Sequence, residues 1–151
     1  MRIIDATASD LPALSTLAMS SKAVWGYEEA FMMACREELT VRRAHLYTHR
    51  VRVAVDDDGS LLGFHGVVVE GDDADLAWLF VAPDAQRRGV GEALFADAGN
   101  VAKSSGARTL IVESDPNAVG FYEAQGAELV GTAPSVSIEG RVLPVLHLAL
   151  A

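Results

Sequence analysis

Residues 80–94 read Phe-Val-Ala-Pro-Asp-Ala-Gln-Arg-Arg-Gly-Val-Gly-Glu-Ala-Leu: a strand that passes through a short loop into a helix, with Gly89 and Gly91 at the turn. No other stretch limits the fold so strongly. A helix N-terminus carries unpaired N–H groups and the positive end of the helix dipole. Glycines there let an anion approach the backbone, so the segment reads as a phosphate cradle, with Arg87 and Arg88 adding charge-assisted contacts. Two familiar glycine loops do not fit. A dinucleotide fingerprint wants a third small residue where Leu94 stands. A Walker loop wants Gly-Lys followed by Ser or Thr, a tripeptide absent from the chain. A tight turn without a ligand accounts equally well for two isolated glycines, so the flanking elements decide.

Val51, Val53 and Val55 alternate as a strand that stops at Asp56-Asp57-Asp58-Gly59. Residues 61–70 and 74–81 continue it as a three-stranded meander. Upstream lie a short strand at 1–6 and a helix running to about Lys22, with Thr7, Ser9 and Asp10 as N-cap candidates and Pro12 in its first turn. A second helix carries Phe31, Met32, Cys35 and Leu39 on one stripe. Downstream come a helix over 89–105, a strand over 108–113, a short helix over 116–125 stopped by Gly126, and strands over 128–132 and 142–150. The order β-α-α-β-β-β-α-β-α-β-β belongs to the α/β class, with a mixed sheet covered by helices, and not to an alternating Rossmann fold. No repeat or linker divides residues 1–151, so a single domain is expected.

Charge and composition exclude several functions. The net charge of −9 argues against non-specific nucleic-acid binding, which needs clustered positive charge. A lone cysteine, Cys35, allows neither an intrachain disulfide nor a multi-cysteine zinc site, and it reads as packed core. No stretch approaches the ~20 apolar residues of a membrane span, and the first residues lack a signal-peptide pattern; a cytoplasmic protein without a membrane partner is expected. His45 and His49 have a chelating spacing, but position 46 is Leu and no third ligand is evident, so no metal is expected. Arg42, Arg43, Arg50 and Arg52 read as ion-pair partners or a helix-end complement, with an anionic partner or acceptor as the alternative.

Val81-x-Pro83-x-x-Gln86-Arg87-Arg88-Gly89-Val90-Gly91-x-x-Leu94 resembles the acyl-CoA motif of the GCN5-related N-acetyltransferases, and Ala118-x-x-Phe121-Tyr122-x-x-x-Gly126 resembles that family's next helix. The element order fits the family fold of about seven strands with helices on both faces. The resemblance implies acetyl-CoA as co-substrate. Its pyrophosphate would rest on the backbone of Arg87, Arg88, Gly89, Val90, Gly91 and Glu92, and its pantetheine arm would lie along Leu79, Phe80 and Val81. A backbone N–H of that strand would polarise the thioester carbonyl. The coenzyme would enter where this strand and the one over 108–113 splay apart. Tyr122 stands where the family commonly places the acid that protonates the departing thiolate, and a phenol of pKa ~10 suits that task. Phe121 would pack the helix beside the coenzyme. The position often held by a pantetheine-contacting Asn is Asp115 here, a good cap for this helix, and Asn117 is the alternative contact.

The acceptor side is less defined. An ammonium must lose its proton before it attacks, yet the strand before the glycine loop has an apolar centre. Asp75, Glu70, Glu113 and His65 are the base candidates. Trp25-Gly26-Tyr27, followed by Glu28 and Glu29, resembles a segment found in a bacterial branch of the family. Trp25, Tyr27 and Glu28 are the expected contacts for a cationic amine, through cation–π and charge interactions. Residues 134–137 with Gly140 and Arg141 would form the other wall. The expected reaction is direct transfer from acetyl-CoA to a primary amine of a small molecule or amino-acid derivative. A peptide N-terminus or lysine, and a non-catalytic acyl-CoA sensor, are the alternatives. Members of the family often form homodimers through terminal strands.

Overall fold

The computed structural model describes all residues from Met1 to Ala151. Seven strands make one sheet: β1 (Arg2–Asp5), β2 (Arg50–Val55), β3 (Leu61–Glu70), β4 (Asp73–Val81), β5 (Thr109–Glu113), β6 (Glu128–Pro134) and β7 (Val142–Ala149). Their spatial order is β1-β2-β3-β4-β5-β7-β6, antiparallel except where β4 meets β5. The helices are α1 (Leu11–Ala23), α2 (Glu29–Cys35), α3 (His45–Thr48), α4 (Val90–Ser104) and α5 (Val119–Ala124). This is the mixed sheet the sequence predicts. No helix is long and apolar enough to cross a membrane.

Alternation along β3 separates the two faces. His65 points to α4, where its Nε2 meets Asp97 Oδ2 at 2.7 Å. Its neighbour Gly66 lies under the Trp78 ring, a position that no Cβ could share. Trp78 faces the other way and donates its indole N–H to the Glu38 carbonyl just beyond α2, at 2.9 Å. One core packs α1 and α2 on this face through Leu14, Leu17, Met32, Cys35 and Phe64. A second packs α4 and α5 through Phe95, Ala98, Val101, Tyr122 and Leu146. Burial of apolar surface at roughly 25 cal/mol per Å² is what holds both layers to the sheet.

Two elements differ from expectation. The second helix ends at Cys35, and Leu39 reaches the core from the turns that follow, where the Thr40 hydroxyl donates to the Arg36 carbonyl at 2.7 Å. The four-residue α3 has no counterpart in the sequence reading, because one turn is too short to display a helical period.

The site is created between β4 and β5. These strands pair only through Asp73–Thr109, Ala74–Leu110 and Asp75–Ile111. The β3–β4 register then shifts from Val67–Leu76 to Gly66–Trp78, which leaves Ala77 as the extra residue of a bulge. A bulge bends its strand and increases the local twist, so β4 leaves β5 and its free edge from Leu76 onward opens to a cavity.

Candidate active site

The cavity between the splayed strands is about 880 Å³ and runs from the glycine loop to the loops beyond α1 and between β6 and β7. At one end the chain takes left-handed backbone twice, at Arg87 with φ 64° and at Gly89 with φ 77°, before α4 begins. Glycine adopts that conformation without cost, whereas Arg87 is held in it by the loop. The first backbone bond into this helix is from the Ala93 N–H to the Gly89 carbonyl at 3.1 Å, so the N–H groups from Arg87 to Glu92 have no partner in the chain. Unpaired N–H groups at a helix start suit an anion. Gly91 keeps the helix start close to Phe121, since a Cβ there would meet that ring at 3.4 Å.

The two arginines of the loop have different surroundings. Arg87 lines the cavity, whereas Arg88 does not and pairs with Asp56 of the β2–β3 turn at 3.0 Å. The Arg88 guanidinium is thus turned to a carboxylate outside the cavity, and of the two side chains only Arg87 borders it. Glu92 also lines the cavity, in the first turn of α4. Leu79, Phe80 and Val81 line it along β4, and the Val81 carbonyl accepts the Gln86 amide at 3.2 Å.

On the β5 side, Phe121 and Tyr122 reach the cavity from α5. The Tyr122 ring packs edge-on against Phe95 and Phe121, with centroids 5.3 and 5.1 Å away. Only 7% of the residue is exposed. Burial, together with the Asp115 charge, pushes its phenol well above the ordinary value, so it stays protonated.

Asp115 performs the cap that the sequence predicts and considerably more. Its Oδ1 accepts the Asn117 N–H and side-chain amide, both at 2.9 Å. Its Oδ2 accepts the Tyr27 hydroxyl at 2.7 Å and Lys22 Nζ at 3.2 Å, with Arg141 Nη2 at 3.5 Å. Burial works to raise this carboxyl, but the Asn117 and Tyr27 hydrogen bonds and the Lys22 charge outweigh it and hold it below the usual range. Both Asp115 oxygens are therefore engaged within the chain. Asn117 also donates to the Tyr27 hydroxyl, at 3.1 Å, and keeps its side-chain carbonyl free beside the cavity.

Tyr27 stacks on Phe31 with centroids 4.1 Å apart, and the chain's own Lys22 and Arg141 lie against this aromatic pair, 4.8 to 5.8 Å from its ring centres. Trp25 lines the cavity; Tyr27 and Glu28 do not. A cation–π seat on Tyr27 for an incoming amine is thus corrected, since internal cations fill it. Lys22 and Arg141 line the cavity instead, together with Ser135 of the predicted wall. Of the base candidates, Asp75 and Glu113 line it, Glu70 does not, and His65 lies buried against α4. Burial, with Glu70 and Asp73 nearby, raises the Asp75 carboxyl. Glu38 and Lys22 also line the cavity without a sequence signal for it. Glu38 follows the apolar stripe of α2 and is tethered by Trp78, which no spacing rule reveals.

Outside the cavity, Arg52 spans Asp97 at 2.9 Å and Asp5 at 3.1 Å, and Arg50 and Arg42 pair with Asp5 and Glu37. His45 and His49 pack against the Trp78 ring at 4.9 and 5.1 Å. No group of three or more His, Cys, Asp or Glu side chains is arranged to hold a metal ion.

Residues 16–135 match the family described as "Acetyltransferase (GNAT) domain". The chain is 31% identical over 131 residues to the peptidyl-lysine N-acetyltransferase YiaC of Escherichia coli (strain K12), covering 87% of this chain and 86% of that protein. A GCN5-related N-acetyltransferase from Rhodopseudomonas palustris superposes with a TM-score of 0.79 at 22% identity, over 99% of this chain and 95% of the other. The PaiA N-acetyltransferase of Thermoplasma acidophilum, solved in complex with coenzyme A, superposes with a TM-score of 0.77 at 18% identity, over 98% of each chain.

Proposed function

The chain belongs to the GNAT acetyltransferase family, and from that premise we propose that it transfers the acetyl group of acetyl-CoA to a primary amine of a small molecule by direct attack in a ternary complex. The observation that carries this reading is the continuity of the cavity. It joins the free N–H groups of the glycine loop, the open edge of β4, the Tyr122 side chain and the pocket at Lys22 and Arg141 in one volume.

The parts divide the work as follows. The cradle from Arg87 to Glu92 holds the pyrophosphate, with the Arg87 guanidinium beside it. The pantetheine arm lies along Leu79, Phe80 and Val81 against the edge that β5 leaves free, and the Asn117 carbonyl is available to its amides. The neutral amine attacks the thioester carbon while a β4 backbone N–H holds the developing oxyanion. As the C–S bond breaks, Tyr122 gives its proton to the thiolate. The proton lost by the amine passes to water in the cavity, which the carboxylates of Glu38, Asp75 and Glu113 border.

A peptidyl lysine is the second reading, favoured by the identity to YiaC. The test measures thiol release from acetyl-CoA with amino acids, polyamines, aminoglycosides and lysine peptides as acceptors. Turnover with a small amine supports the proposal. Turnover confined to peptides favours the second reading, and coenzyme binding with no turnover points to a sensor.

A further inference from the structure

Around the far end of the cavity, the charges do not balance. Lys22 and Arg141 both face Asp115 Oδ2, at 3.2 and 3.5 Å, so two cations share one carboxylate. All three side chains are largely buried, with 13% of Lys22, 17% of Arg141 and 13% of Asp115 exposed. Glu38, a carboxylate that also lines this cavity, is exposed and pairs with neither cation.

Donors remain unused as well. Lys22 Nζ makes one hydrogen bond, to Asp115, although an ammonium has three N–H groups. Arg141 donates through Nη2 to the Tyr27 hydroxyl at 2.9 Å, while its Nη1 and Nε have no partner in the chain. The guanidinium rests against the aromatic pair, with Cζ 4.8 Å from the Phe31 ring centre and 5.4 Å from that of Tyr27. A guanidinium held this way loses little freedom on meeting an anion. Both cations line the cavity that receives the acceptor, with Ser21 and Ser135 beside them.

We propose that Lys22 and Arg141 bind a carboxylate carried by the acceptor, so that the substrate class is an amine with a carboxylate close to its amino group. This rests on the acetyl-transfer reading above. The net single positive charge of Lys22, Arg141 and Asp115 suits a monoanion, and the unpaired N–H groups of the two cations suit its two oxygens.

The test compares matched ligands that differ only at the carboxylate. Binding of N-acetyl amino acids and of their carboxamides is measured by calorimetry with coenzyme A present, and the free amino acids and their amides are compared as acceptors by kcat/KM. At least one acid is expected to exceed its amide by about tenfold or more in both measurements, and Arg141→Gln or Lys22→Met should reduce that ratio toward one. Equal binding of every acid and amide by the unaltered protein overturns the inference. So does a preference that survives both substitutions. If the acids bind selectively but no amine is acetylated, the anion subsite stands and the acetyl-transfer reading fails.

Discussion

The Tyr27 hydroxyl donates to Asp115 Oδ2 at 2.7 Å and accepts from Arg141 Nη2 at 2.9 Å. Three segments meet in this phenol: the loop after α1, the cap of the helical turn Pro116–Ala118 that precedes α5, and the end of the β6–β7 loop. Each of them forms part of one end of the cavity or supports a residue that does. The same bonds that fix Arg141 at one wall of the cavity also fix Asn117 at another, so two sides of the cavity share one hydrogen-bonded clamp.

Removing that hydroxyl tests the clamp. In Tyr27→Phe the ring still stacks on Phe31, but Asp115 loses its shortest bond and Arg141 loses its acceptor. A partly buried bond to a charged group is worth roughly 1–2 kcal/mol after allowance for solvent, so chemical denaturation should show a loss of that order. Acceptor KM should rise more than acetyl-CoA KM. Equal changes in both constants would contradict the clamp's place on the acceptor side.

Tyr122→Phe separates chemistry from packing. The hydroxyl is not held by any hydrogen bond in the chain, so the substitution should leave the melting temperature close to that of the parent. Loss of a positioned general acid should lower kcat by about 10²–10⁴-fold without weakening coenzyme binding. Because burial and the Asp115 charge raise this phenol above ~10, the parent should show no alkaline loss of rate from Tyr122 below that pH. An unchanged kcat in Tyr122→Phe would remove the residue from the mechanism.

Much of this architecture is legible in the sequence. The alternation of Val51, Val53 and Val55, the acidic turn at Asp56–Gly59, and the strand-loop-helix at Gly89 and Gly91 are local signals, and the structure forms the meander and the cradle from them. The bulge is different. Ala77 looks like any strand residue, and only the register between β3 and β4 shows that it is the extra one that parts β4 from β5. The clamp was hidden for a related reason. Lys22, Tyr27, Asp115 and Arg141 are brought together by tertiary packing, and no spacing rule connects positions so far apart. Reading Tyr27 and Glu28 as an amine seat followed from residue type and from the resemblance of the segment, neither of which shows that Tyr27 stacks on Phe31 with two internal cations beside it.

Gly89→Ala tests the cradle directly. Its left-handed φ of 77° costs an alanine about 1 kcal/mol, although no atom blocks the added methyl group. The strain would be relieved by turning the loop, which misaligns the free N–H groups of the helix start. Coenzyme A affinity by calorimetry should therefore fall while the acceptor profile of the remaining activity is retained. Unaltered coenzyme affinity would show that the loop does not hold the pyrophosphate.

His65 gives the fold a pH dependence separate from catalysis. Its Nε2 faces Asp97, and its buried Nδ1 has no partner, so a second proton would sit on an N–H with nothing to donate to. Burial pushes the imidazole below its ordinary value, against the opposing pull of Asp97. A lowered pKa in the folded state means that the neutral form contributes stability above ~6.5, and that this contribution is lost as pH falls through the folded value. Asp97 remains ionised in that window. Burial raises its carboxyl, but hydrogen bonds from Arg52 and His65 more than offset this, so its own contribution is lost only below ~3.9. His45 and His49 are lowered too, mainly by burial, and add to the slope. Urea unfolding between pH 7 and 5 should show stability falling by up to about 1.4 kcal/mol per pH unit from His65, with smaller additions from the more exposed His45 and His49. His65→Gln keeps a donor toward Asp97 but cannot titrate, so its slope should be shallower than the parent's, and an identical slope in the two proteins would exclude His65 as a source.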